Sequence, residues 1–138
     1  MVEVRIVAFA DSGELLYAIR DEVFVREQAV PIDIEHDAED ATCTHVLAFV
    51  DGVPAGTGRI LADGRIGRMA VLAPYRGHGV GRAVLDALLR IAAERGLRET
   101  WCSAQISANG FYERAGFKAE GPLYEEAGIT HQHMRRRI

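Results

Sequence analysis

The sequence predicts an α/β domain: a mixed central β-sheet, part antiparallel meander and part parallel crossover, flanked by helices. Three observations carry that expectation. Residues 43–71 alternate apolar and polar side chains and are cut by Asp51-Gly52 and Asp63-Gly64, a dipeptide that favours tight hairpins because glycine takes positive φ cheaply. Val80, Val84, Leu88 and Ile91 then recur at helical spacing, with Arg82, Asp86, Arg90 and Glu94 four apart on the other side. A short apolar strand at 100–104 follows, and a strand-helix-strand unit returns its second strand parallel to the first.

From the start of the chain, residues 2–9 alternate as a half-buried strand, and Glu3 and Arg5 within them argue against a signal peptide. Asp11-Ser12-Gly13 gives a helix start, and Leu15, Leu16, Ile19, Val23 and Phe24 carry the helix to the neighbourhood of Glu27. Pro31 and the run Asp33, Glu35, Asp37, Glu39, Asp40 mark an acidic loop. The meander divides into strands at 43–50, 54–61 and 65–71, and Gly96 caps the helix that follows it. After the strand at 100–104, Ser107 can cap a helix reaching Ala115, which Gly116 ends; 117–121 and 130–137 close the chain as strands. No linker, repeat or biased tract divides the sequence, so one domain over 1–138 is expected.

Composition narrows the classes. A chain of 138 residues, 49% hydrophobic and 26% charged, buries roughly two thirds of its unfolded surface and needs no covalent staples. The net charge of −4, with no basic run longer than Arg135-Arg136-Arg137, argues against a nucleic-acid binder that works by neutralising phosphates. No apolar run is long enough for a membrane helix. Cys43 and Cys102 lie in separate apolar segments and read as buried thiols, which makes the cytoplasm the expected compartment.

The richest segment is Met69-Ala70-Val71-Leu72-Ala73-Pro74-Tyr75-Arg76-Gly77-His78-Gly79-Val80-Gly81-Arg82. A strand enters a turn at Pro74, and glycines on alternate residues open a long helix. Residues without Cβ let backbone N–H groups converge, and the helix N-terminus adds roughly half a positive charge, so the loop suits a phosphate group. A corner alone would need one glycine. The spacing does not fit a dinucleotide G-x-G-x-x-G, because the third position counted from Gly77 or Gly79 is Val80 or Arg82. A Walker loop is excluded as well, since the sole lysine is Lys118.

Arg76-x-x-Gly79-x-Gly81 after the strand at 69–71 resembles the acyl-CoA pyrophosphate loop of the GNAT N-acetyltransferase superfamily. Ala108-x-x-x-Tyr112-x-x-x-Gly116-Phe117 is similar to its second segment. The stretches Glu22-Val-Phe-Val-Arg-Glu27-Gln28, Glu35-x-Asp37-x-x-Asp40, Gly56-Thr57-x-Arg59, Ile66-Gly67-Arg68 and Glu126-Ala-Gly128-Ile129-Thr-His131-Gln-His-Met134 resemble the ElaA-like branch. The resemblance implies acetyl-CoA as cosubstrate, with its pyrophosphate on the backbone of Arg76, Gly77, His78, Gly79, Val80, Gly81 and Arg82, and its pantetheine arm along Met69, Ala70 and Val71. It also implies a tyrosine, here Tyr112, facing the sulfur. Where many relatives carry asparagine seven residues before that tyrosine, this chain has Gln105.

Acyl transfer to an amine requires a neutral amine, a donor for the developing oxyanion and a proton for the leaving thiolate. A phenol near pKa ~10 stays protonated at neutral pH and can supply that proton to a thiolate whose thiol sits near ~8.5, the role read for Tyr112. Backbone N–H groups freed where the strand near Val71 diverges can hold the oxyanion. Glu27, Glu35 and His131 remain open as the base. The acidic loop either steers a cationic amine or is a solvated face. No metal site is expected: His131 and His133 share a strand face but lack a third ligand. The expected activity is an acetyl-CoA-dependent N-acetyltransferase. Its partners are a small-molecule or peptide amine and at most a second copy of the chain in a homodimer, with no nucleic acid and no membrane. The alternatives are a catalytically silent acyl-CoA sensor and a purely structural domain.

Overall fold

The computed structural model describes residues 1–138. Strands β1 (Val2–Val7), β2 (Thr44–Val50), β3 (Val53–Ile60) and β4 (Ile66–Val71) form one antiparallel sheet in chain order. Strands β5 (Glu99–Gln105), β6 (Lys118–Glu126) and β7 (Ile129–Arg137) form a second, ordered β5-β7-β6 and also antiparallel. The fold class is thus α/β with helices against sheets, but the expected parallel crossover ladder is absent. Between β4 and β5 the pairing shrinks to one parallel bridge, Arg65 to Trp101, with the Trp101 amide on the Gly64 carbonyl at 3.3 Å. The physical reason lies in β4, where the register with β3 shifts between Thr57 and Arg59 and Arg68 takes a φ of +51°. A bulge of this kind bends and twists its strand, and here it carries β4 away from β5.

Helix α1 (Phe9–Arg20) continues as a π-helical segment, Asp21–Glu27. A short α2 (Ile32–Glu35) and a 3-10 turn (Ala38–Ala41) follow, then α3 (Val80–Glu94) and α4 (Asn109–Arg114). Strand β2 is buried on both faces, and its alternation divides the core. Val46 and Ala48 pack with Val84, Leu85 and Leu88 of α3, whereas Leu47 packs with Leu16, Ile19 and Val23 from the α1 side. Gly58 admits α3 so closely that a Cβ there would lie 2.8 Å from Val84 Cγ1 and 3.0 Å from Leu88 Cδ1.

Four boundaries differ from the sequence reading. Helix α1 begins at Phe9, and Gly13 lies inside it beneath the Phe9 ring, because the apolar face already starts there. Ser107 sits in a 3-10 turn, and α4 starts at Asn109 without a side-chain cap. Strand β6 runs on past Gly121 to Glu126: on an edge strand a bulge accommodates Gly121, at φ +77°, and Pro122. The acidic stretch is partly helical, and Glu35 and Asp40 within it are buried, as described next.

Candidate active site

Where β4 and β5 part, a cleft of about 1050 Å³ opens between the sheets. Its mouth is the glycine loop. Gly77 and Gly79 both hold φ of +81°, and a Cβ on either would point into open space. From residue 77 to 82 no backbone amide meets a backbone acceptor in hydrogen-bond geometry, and α3 has no side-chain cap. Six orphan donors at a helix N-terminus are a ready site for an anion. Gly81 lets the ring of Phe111 approach to 3.4 Å of its Cβ position.

One wall is the free edge of β4, with Met69, Ala70 and Val71. Leu72 donates to the Ala55 carbonyl at 2.9 Å, so the Gly56–Val71 pair is of the type that exchanges no bonds, and the N–H and C=O of Val71 turn toward the cleft. The carbonyl is taken by Arg76 Nε at 2.9 Å, and the same guanidinium reaches Glu27 Oε1 at 2.9 Å. Arg82 pairs with Asp86 and reaches the Arg114 carbonyl. His78 is exposed and does not line the cleft. Gln28, at the end of the π-helical segment, accepts from Gln105 Nε2 at 2.7 Å, so that segment roofs the cleft.

Deep in the cleft Tyr112 is 6% exposed, and its phenol is pushed well above the ordinary range by burial and secondarily by Cys102. Burial also pushes the Cys102 thiol up to about 12, and Cys43 is half-buried; both are free thiols. The opposite wall carries His131, which pairs in register with Gln105 of β5 and Tyr124 of β6. Its Nδ1 lies 2.7 Å from the Ile129 carbonyl, which only accepts, so Nδ1 bears a proton and Nε2 is the nitrogen left to the cleft.

Asp33 and Glu39 of the acidic stretch are exposed, but its other three carboxylates are paired with arginines and are not a free solvated face. Arg20 bonds Glu35 at 2.6 Å and Asp40 at 2.7 Å, Arg59 bonds Asp37 at 2.7 Å and Asp40 at 2.9 Å, and Arg68 pairs with Glu35 at 2.7 Å and Asp37 at 3.0 Å. Three carboxylates face three guanidinium groups beneath the cleft. Burial raises Glu35, while the arginines outweigh burial for Asp40 and lower it to about 2. Sequence reasoning missed Glu126 and Ser103 as cleft residues, with Tyr124 behind them on Ser103. The signal was the turn Ala127-Gly128, both at positive φ, which extends the hairpin and brings Glu126 opposite Ile129.

A model of the acetyltransferase (GNAT) domain matches residues 8–138. A Bacillus subtilis (strain 168) protein described as an acetyltransferase is 38% identical over 124 residues, covering 86% of this chain and 84% of its own. Among solved structures, a Lactobacillus plantarum protein described as an N-acetyltransferase superposes with a TM-score of 0.88 at 30% identity, covering 99% of this chain and 97% of its own. Escherichia coli ElaA gives 0.85 at 27% identity, covering 99% of both chains. The family match takes in both walls of the cleft and the loop at its mouth, and on that ground the chain belongs to the GNAT acetyltransferase family and is an acyltransferase.

Proposed function

We propose that the chain moves an acetyl group from acetyl-CoA directly to an amine, with the pyrophosphate held by residues 77–82. The carrying observation is the set of six unpartnered amides beside two glycines whose Cβ positions open outward: donors are present and nothing fills the space an anion requires. The exposed edge at Met69, Ala70 and Val71 supports strand-like pairing with the pantetheine amides, and Gln105 lies across from it. Arg76 and Arg82 keep their side chains on Glu27 and Asp86, so they shape the loop while its backbone binds.

Acetyl-CoA supplies an activated acetyl carbonyl and a thiolate leaving group. The residues around it divide the remaining work. Nε2 of His131 carries the free lone pair that takes the amine proton. The Val71 N–H, turned off its own sheet, serves the developing oxyanion. Tyr112, protonated throughout the neutral range, delivers its proton to the departing sulfur and recovers it from the second N–H of the amine adduct; the burial that raises its pKa favours that return. The other two candidate bases already hold cations: Glu27 sits on Arg76, and Glu35 lies between Arg20 and Arg68.

The test is a thiol-release screen with acetyl-CoA against polyamines, amino sugars, aminoglycoside-type antibiotics and peptide N-termini, paired with calorimetry of CoA binding. Thiol release that depends on one amine class supports the reading. Absence of CoA binding by the folded protein overturns it.

A further inference from the structure

Four polar side chains on the second sheet form a chain whose hydrogen positions are fixed by elimination. Ser103 Oγ lies 2.9 Å from Glu126 Oε2, and a carboxylate can only accept, so the serine hydroxyl donates to it. Ser103 has one hydrogen, so its close contact with Tyr124 must be filled by the phenol donating to the serine oxygen. Glu126 is thereby oriented. His131 Nδ1 donates to the Ile129 carbonyl, which makes Nε2 the nitrogen that carries the lone pair of the neutral ring. That nitrogen faces Glu126 Oε2 at 3.7 Å, too far for a direct hydrogen bond. With the imidazole in its neutral form, the one a base requires, two acceptors face one another in the cleft with no hydrogen between them, a place that suits a cationic N–H donor.

Resting on the acetyl-transfer reading above, we infer that Glu126 is the acceptor-binding anion: it takes the ammonium group of a cationic aliphatic amine against Nε2 of His131. Glu126 is well placed for this, being half-exposed on the cleft wall. The groups facing the pair from neighbouring elements are Arg65, at 3.9 Å from the other carboxylate oxygen, Tyr124, Ser103 and the neutral Gln105. Arg65 is the only cation among them, and it lies over the Trp101 ring at 5.1 Å instead of in a tight ion pair, so the carboxylate keeps capacity for a second cation. In the transfer step one ammonium N–H bond breaks toward His131 Nε2 and the electron pair stays on the amine nitrogen for attack on the acetyl carbonyl; as the C–S bond breaks, the adduct's second N–H proton replaces the one Tyr112 gives the thiolate. The imidazolium so formed faces the Glu126 carboxylate, which stabilises its charge until solvent takes the proton.

The experiment follows the His131 ring nitrogens by NMR in the full chain while n-butylammonium chloride is added, with n-butanol as the uncharged control. In the wild type the Nε2 resonance moves with butylammonium and not with butanol. Glu126→Gln weakens that response at least about tenfold, the loss of one charge-assisted hydrogen bond, and Glu126→Asp restores part of it. Equal affinity in wild type and Glu126→Gln, or an equal response to butanol, overturns the inference. Calorimetry with CoA on the same samples separates the two levels. A wild type that fails to bind CoA refutes the acetyl-transfer reading while amine binding is still scored, and CoA binding with indifference to Glu126 refutes this inference alone. Once an amine acceptor is in hand, Glu126→Gln raises its KM by the same factor and leaves CoA affinity unchanged.

Discussion

Arg76 joins Glu27 to Val71: one guanidinium donates to the glutamate at 2.9 Å and to the strand carbonyl at 2.9 Å, so the helix that roofs the cleft is tied to the loop at its mouth. The link is partly exposed, and exposed ion pairs are worth roughly 0.2–1 kcal/mol. A double-mutant cycle of Glu27→Ala and Arg76→Ala read on CoA affinity should therefore show a coupling within that range, a few-fold at most. Strict additivity would show that the pair does not set the loop.

Gly79→Val should weaken CoA binding by tenfold or more. At φ +81° a β-branched side chain strains the turn whatever space surrounds it, and its bulk is added within the run of orphan amides. Calorimetry on a variant with an unchanged circular-dichroism spectrum decides it, and an unaltered CoA affinity would remove the loop from the binding site.

Tyr112→Phe should leave CoA affinity close to wild type and lower kcat by roughly 100-fold, the usual weight of general-acid catalysis. The ring keeps its edge contacts with Phe111 and Phe117, so only the hydroxyl is lost. Wild-type turnover in the variant would make Tyr112 a packing residue.

The buried ion network governs acid stability. Asp40 is depressed to about 2, and Asp37 is also lowered, chiefly by its hydrogen bond with Arg59. A depressed carboxyl contributes stability that is fully present above its unfolded pKa of about 3.9 and disappears as pH falls through the folded value. Glu35, raised by burial, acts in the opposite sense, since protonation relieves its desolvation. Chemical denaturation should thus show the loss concentrated between about pH 4 and 2. Asp40→Asn, which leaves Arg20 and Arg59 short of a buried counter-charge, should cost about 3–5 kcal/mol at neutral pH and flatten the acid limb.

Gly58→Ala should destabilise the protein by about 1–3 kcal/mol through overpacking, because the methyl group would press on Val84, Leu88 and the sulfur of Met69 at 3.0 Å or less. Thermal melting measures the effect. A neutral substitution would mean that α3 can lift without penalty.

The meander and α3 were legible because their signals are local: Asp51-Gly52 and Asp63-Gly64 punctuate period two, and Val84 and Leu88 keep period 3.6. Pairing partners are not local. Alternation shows that 100–104 is a strand without showing that its ladder partner is β7 in place of β4, and that difference creates the cleft. The acidic stretch misled for a related reason. Its neutralising partners Arg20, Arg59 and Arg68 come from three other places in the chain, so a run that looks solvated in one dimension is an ion network in three. Glu126 was hidden by Gly121-Pro122, which reads as a strand end, although an unpaired edge tolerates proline.

Because β4 and β5 share only the bridge at Arg65 and Trp101, each sheet satisfies its backbone ladder without the other. The angle between the walls is accordingly a matter of side-chain packing around that single pivot. Change at positions such as Met69, Phe111 or Gln105 can broaden or narrow the slot for a longer or shorter acyl chain while every strand keeps its register. Met69 and Phe111 pack against the edge of the core, so on the reading proposed above a change of acyl preference made there draws on side-chain packing and leaves the strand ladders alone.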